Sequence, residues 1–130
     1  MAELFDSTVY ARRLEEAARL CRVRGLAGLI IGTGPELAYL TGSWLSSHER
    51  FTAVVVPAVG RPVLLVPVTD VGDVAHSAVP ELDVQVRGWT DGQDPHALAV
   101  AALGEAGAVA LGSSLTTLHV LDLQRKLVGR

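Results

Sequence analysis

The hydrophobic pattern predicts an α/β domain, a mixed and mostly parallel sheet of about five strands with helices on both faces. Three observations carry this. Apolar runs of strand length alternate along the chain with segments of helical periodicity. The runs "LAGLIIG", "FTAVVVPA" and "RPVLLVPV" are apolar at nearly every position, as strands buried on both faces are. Only at "VGR", around Gly60, do two such runs follow each other with no room for a helix, which makes one hairpin in an otherwise alternating chain.

Each element can be justified in turn. Residues 7–24 read as an amphipathic helix. Tyr10, Leu14, Ala17 and Cys21 form its apolar stripe, and Arg12, Arg13, Glu15, Glu16, Arg19 and Arg22 fill the other face. Asp6 or Ser7 caps it and Gly25 ends it. Cys21 lies on the stripe, so it reads as a buried small hydrophobe rather than a reactive thiol. Residues 26–32 form the first strand. "TGPELAYLTG" is a short helix with Pro35 at its first position and Gly42 beyond its end. The hairpin strands come next, then a helical segment over 70–79 and a strand over 83–89. A helix opens at Asp94 or Pro95 and runs through Ala106. A strand over 108–112 and a last helix over 116–128 complete the chain.

The 130 residues suit one domain, and the hydrophobic fraction of 49% against 19% charged promises a full core and spare apolar surface for a partner. A formal net charge of −3 argues against nucleic acid or an anionic membrane as the main partner. No uninterrupted apolar span of about 20 residues occurs, and "MAELFDSTVYARR" is too polar for a signal peptide, so the expected setting is cytoplasmic. With Cys21 as the single cysteine, no internal disulfide can form.

Catalytic and cofactor motifs are scarce. "GTGPEL" follows a strand and opens a helix, but the dinucleotide fingerprint wants a third glycine where Leu37 stands, and an acid after the second strand, which reads "AVVVPA". A tight strand-to-helix turn explains Gly32 and Gly34 equally well. The four histidines, His48, His76, His96 and His119, are scattered and make no H-E-x-x-H pattern. His119 and Asp122 lie three apart on the last helix, where two ligands fall short of a catalytic zinc site and a solvated helix face is the better reading. The expectation is no catalytic and no metal-ligating residue within this chain.

Taken together, "GLAGLIIGTGPELAYLTGS", the hairpin "ERFTAVVVPAVGRPVLLVP", the segment "GWTDGQDPHALAVAAL" and the closing "AVALGSSLTTLHVLDLQRKL" resemble the amino-terminal domain of the creatinase/prolidase/aminopeptidase P family. The resemblance covers almost all of residues 1–130, and 25–42 is its most specific part. It implies a creatinase/prolidase N-terminal domain-like fold whose catalytic, pita-bread domain would follow and is absent from this chain. In that following domain, aspartates, a histidine and glutamates would hold two divalent metal ions such as Mn, Co or Zn.

The implied role is that of a non-catalytic domain of a metal-dependent Xaa-Pro dipeptidase or aminopeptidase, contributing to dimerisation and to limiting substrate access. The implied partners are the protein's own C-terminal catalytic domain, a second copy in a homodimer, and a short proline-containing peptide. Two alternatives are a peptide- or protein-binding module of the same fold, and the N-terminal domain of a creatinase-type amidinohydrolase. In such enzymes the loop after the Y-L-T-G helix can close over the neighbouring active site. Trp44, His48 and Arg50 in "SWLSSHER" are therefore the substrate-contact candidates. Arg50 would grip a peptide carboxylate in a two-pronged contact, and His48 would bond a polar group of the substrate. On this reading the loop finds no partners within the chain. The competing reading is that Trp44 covers the helix end while His48 and Arg50 are solvated.

Overall fold

The computed structural model describes residues 3–46, 49–104 and 107–128. Helix α1 spans Ser7–Val23 and is capped by Asp6, whose carboxylate accepts from the Thr8 backbone N–H. Strand β1 is Gly28–Gly32 and helix α2 is Pro35–Thr41. Strands β2 (Ala53–Pro57) and β3 (Val63–Pro67) form the hairpin. After β4 (Gln85–Trp89) come helix α3 (Pro95–Ala101), strand β5 (Val109–Leu111) and helix α4 (Thr117–Lys126).

The sheet order is β4-β3-β2-β1-β5. β2 runs antiparallel to both β1 and β3, whereas β4 is parallel to β3 and β5 is parallel to β1. Four strands therefore share one direction and β2 alone is reversed, the mixed and mostly parallel sheet expected from the sequence. Ala53, Val54, Val55 and Val56 are each 0% exposed, so β2 is sealed on both faces.

Successive side chains of a strand point to opposite faces, and the sheet sorts its core accordingly. On one face Ile31, Val54, Val56, Leu64 and Val66 meet Leu14 and Ala18 of α1 and Leu37 and Leu40 of α2. On the other, Ile30, Val55, Leu65, Phe51 and Trp89 meet Ala99 and Leu103 after α3 begins and Leu123 of α4. Both faces carry helices, as predicted.

Local differences from the expected elements have identifiable causes. In α1 the buried stripe is Tyr10, Leu14, Ala18 and Cys21, and Ala17 is only partly covered. Burial pushes the Cys21 thiol up, away from the reactive thiolate, in keeping with a core cysteine. The helical segment expected over 70–79 is a 3-10 helix at Val68–His76 followed by a single 3-10 turn at Val79–Glu81. It lies so close to β4 that a Cβ on Gly88 would come within 3.0 Å of Val71 and 3.2 Å of Val68. Helix α3 ends at Ala101, short of Ala106, because 3-10-type bonds tighten its last turn and Gly104 takes a left-handed φ of 84°.

Ile31 is 5% exposed and lies between α1, α2 and the β2 valines. Ile31→Ala is expected to cost on the order of 2–5 kcal/mol in denaturant melts, the range of large-to-small core changes. A loss below about 0.5 kcal/mol would place β1 at the periphery of the fold, contrary to this packing.

Candidate functional site

The chain leaves α2 through a stop encoded residue by residue. Gly42 adopts φ 76° and its N–H bonds the Ala38 carbonyl, closing the helix in the left-handed cap that glycine favours. The buried Thr41 hydroxyl donates to the Leu37 carbonyl and accepts from the Ser43 N–H, and the Ser43 hydroxyl accepts from the Leu45 N–H at 3.2 Å. Such side-chain turns replace the lost helical bonds. Ser43 is buried and Leu45 packs against the core, so the alternation turns Trp44 outward, 61% exposed. The Thr41 carbonyl accepts from the Ala78 N–H, which draws the 3-10 segment alongside. Gly42, Ser43, Trp44, Leu45 and Ser46 then face Asp73 and His76 across an open groove of about 620 Å³.

A second exposed apolar surface adjoins it. Phe5, Tyr39 and Trp44 border one depression beside α2. The Arg13 guanidinium lies 4.0 Å from the Tyr39 ring centroid and 5.4 Å from that of Phe5, and it donates to the Tyr39 carbonyl at 2.8 Å. Cation–π contact and hydrogen bond together fix the arginine, and Phe5 and Tyr39 stay open to solvent.

Arg50 is not without partners in this chain, contrary to expectation. Its guanidinium pairs with the Asp91 carboxylate and stands 5.2 Å from the Trp89 ring centroid. The cause is the sheet itself. Trp89 ends β4 beside the loop, and its indole N–H donates to the Phe51 carbonyl at 2.9 Å, which brings the 90–91 turn to Arg50. Of the three candidates, Trp44 stands at the groove and Arg50 at the far root of the loop. His48 lies outside the described residues.

The last helix departs from expectation more sharply. His119 is only 9% exposed, so the solvated-face reading of His119 and Asp122 fails for the histidine. His96 Nε2 and His119 Nδ1 are 3.0 Å apart, and both rings pack on Phe51, with centroids 4.6 and 5.1 Å away. The histidines are 23 positions apart, and only the packing of α3 on α4 brings them together. Among the described residues no group of three or more His, Cys, Asp or Glu side chains is placed to hold a metal ion.

The turn after β1 is also accounted for structurally. A Cβ on Gly32 would stand 2.8 Å from the Leu115 side chain, and Gly34 has φ 128°. Gly34 takes a backbone conformation that favours glycine and Gly32 lets Leu115 pack close, as a tight strand-to-helix turn requires.

Residues 13–130 match the creatinase/prolidase N-terminal domain family. The chain belongs to that family. It is 45% identical over 120 residues to the probable dipeptidase PepE of Mycobacterium tuberculosis and of Mycobacterium bovis, covering 92% of this chain and 32% of those proteins. The dipeptidase PepE structure from Mycobacterium ulcerans superposes with a TM-score of 0.92 at 44% identity, over 96% of this chain and 34% of that one. The creatinase/prolidase N-terminal domain of a Streptococcus pyogenes X-Pro dipeptidase shares the fold, with a TM-score of 0.75 at 24% identity over 92% and 91% of the two chains. This creatinase/prolidase N-terminal domain thus spans about a third of the length of the curated relatives it matches. Among the described residues no helix is long and apolar enough to cross a membrane.

The Asp73–His76 wall and the Arg13–Tyr39 stack carried no motif. Position 39 reads as one more apolar residue of a short helix, and position 73 as one more polar residue of another. Two substitutions test the loop geometry. Gly42→Ala is expected to cost about 1–2 kcal/mol in thermal melts, since an L-residue must adopt the left-handed region there; a stability unchanged from wild type would mean that the cap is dispensable. Trp44→Ala, at an outward position, is expected to shift stability by no more than about 0.5 kcal/mol. A larger loss would make the indole part of the scaffold.

Proposed function

We propose that this chain is the non-catalytic N-terminal domain of a metal-dependent, cytoplasmic dipeptidase of Xaa-Pro type. In this role it contributes to dimerisation and limits access to an active site carried by the remaining two-thirds of the protein. The supporting observation is the 45% identity to probable dipeptidases three times its length. It is joined by a groove and an aromatic rim whose outward Trp44, Tyr39 and Phe5 suit contact with another domain or copy. The two divalent metal ions, Mn, Co or Zn, would be held by the catalytic domain. The described residues of this chain offer no such ligand set.

Within this reading the loop that begins at Trp44 closes over bound peptide. Trp44 covers its apolar part, and Arg50 exchanges Asp91 for a peptide carboxylate. His48 remains the third candidate contact. The 130-residue chain, supplied with manganese, cobalt or zinc, is expected to hydrolyse no Xaa-Pro dipeptide. Metal-dependent turnover by the pure chain would sink the proposal.

In the full-length enzyme, Arg50→Ala is expected to raise KM, weakening turnover by up to ~3 kcal/mol for a lost charge-assisted contact. Asp91→Asn separates the roles of the arginine. A substrate-gripping Arg50 keeps or improves its KM when the competing carboxylate is neutralised. Equal damage from both changes would mean that Arg50 only anchors the loop. A full-length protein that binds proline-containing peptides without cleaving them would instead be a binding module of the same fold.

A further inference from the structure

Outside the groove, the pair of buried His119 and partly buried His96 is a polar device in an apolar layer. His96 follows the first residue of α3, and His119 lies on α4. Across their 3.0 Å contact one ring nitrogen donates and the other accepts, so the bond needs at least one of the two facing nitrogens free of a proton. Both rings pack on Phe51. The pair thus bears on the segment that carries Glu49, Arg50 and Phe51.

We propose that the His96–His119 pair is a proton-operated latch that holds residues 49–51 against the α3–α4 layer at neutral pH and releases them on acidification. The surrounding charges shape its response. The remaining nitrogen, His96 Nδ1, faces the Asp94 carboxylate at 3.9 Å and the Asp122 carboxylate at 4.0 Å. A first proton settles there and leaves the ring-to-ring bond intact. A second proton must go to His119 Nδ1, which sets N–H against N–H and two cations ring to ring. The carboxylates are already shared. Lys126 holds Asp94 at 2.6 Å, and Arg125 donates to Asp122 at 3.2 Å. From the third side, among the described residues, come the Glu49 backbone and the Phe51 ring, and Arg50 pairs with Asp91. The second proton therefore separates the rings and loosens Phe51.

Burial is the main cause that holds both histidines below the ordinary imidazole range, and for His96 the neighbouring His119 charge adds to it. Histidines depressed in the closed state take up protons on opening. The latch is therefore at full strength above the free-histidine value of about 6.5 and weakens as pH falls below it, by up to about tenfold in the opening constant per pH unit for each proton taken up. The latch acts whatever the parent's chemistry, so its failure would leave the dipeptidase reading untouched.

Trp89 reports on the latch, because its indole N–H donates to the Phe51 carbonyl. The test follows exchange of that indole proton by NMR, corrected for intrinsic rate, from about pH 7.5 to 5. His48 is replaced by Gln in every arm, so that its own titration does not enter. The opening constant is expected to rise about tenfold or more between pH 6.5 and 5.5 in the parent sequence, and to stay within about twofold in His96→Gln with His119→Gln. A flat profile in the parent, or an equal rise in the double variant, would overturn the latch. Should the double variant fail to fold, ring-nitrogen titration of the unsubstituted pair decides. Two coupled steps below the free-histidine midpoint support the proposal. Two independent titrations at the free value refute it.

Discussion

Strand β2 has water on neither face, and covering it organises the molecule. Its neighbours β1 and β3 both run antiparallel to it, so its backbone groups are paired along both edges. Val54 and Val56 point to one side while Ala53 and Val55 point to the other, and each side needs its own apolar layer. Helices α1 and α2 with the 3-10 segment supply one, and α3 with α4 the other. An uncovered face would leave a row of valines in water, at a cost of roughly 1.5–3 kcal/mol for each large aliphatic side chain.

The outward loop depends on this rigidity. Its near end is fixed by Gly42 and by the Thr41 and Ser43 hydroxyls, and its far end by Phe51, 1% exposed and bonded through its carbonyl to Trp89. Between two such anchors the alternation of Ser43, Trp44 and Leu45 leaves the indole one direction to take. An aromatic held outward by a well-ordered frame meets a partner at low entropic cost, and loops on rigid scaffolds serve binding for that reason. The Arg13–Tyr39 stack extends the same logic to the neighbouring surface.

The histidine pair stands out against the rest of its layer, which is built of Ile30, Val55, Leu65, Ala99, Leu103 and Leu123. An apolar residue at either position would pack there without a hydrogen-bonding requirement. Two imidazoles instead bind each other and pack on Phe51. They tie α3, α4 and the root of the loop into one unit whose strength responds to protons. The nearby carboxylates and their lysine and arginine partners set how many protons the unit accepts before it parts.

Much of the architecture was legible in residue order. The runs that were apolar throughout marked β1, β2 and β3, the glycine at "VGR" marked the hairpin, and Pro35 with Gly42 bounded α2. These signals are local, because hydrophobic period and backbone permissiveness act within a few residues. They also placed Trp44 just past a helix stop. Tertiary packing decided what depends on distant partners. It brought Asp91 to Arg50 across 41 positions and His96 to His119 across 23, and it set Asp73 and His76 opposite Trp44. It also tightened the 70–79 segment into a 3-10 helix against Gly88. Such pairings depend on which helix lands on which face of the sheet and at what register. A one-dimensional pattern carries the period of each element but not the contact between two of them, and His119 therefore reads as solvated along the chain yet is buried in the fold.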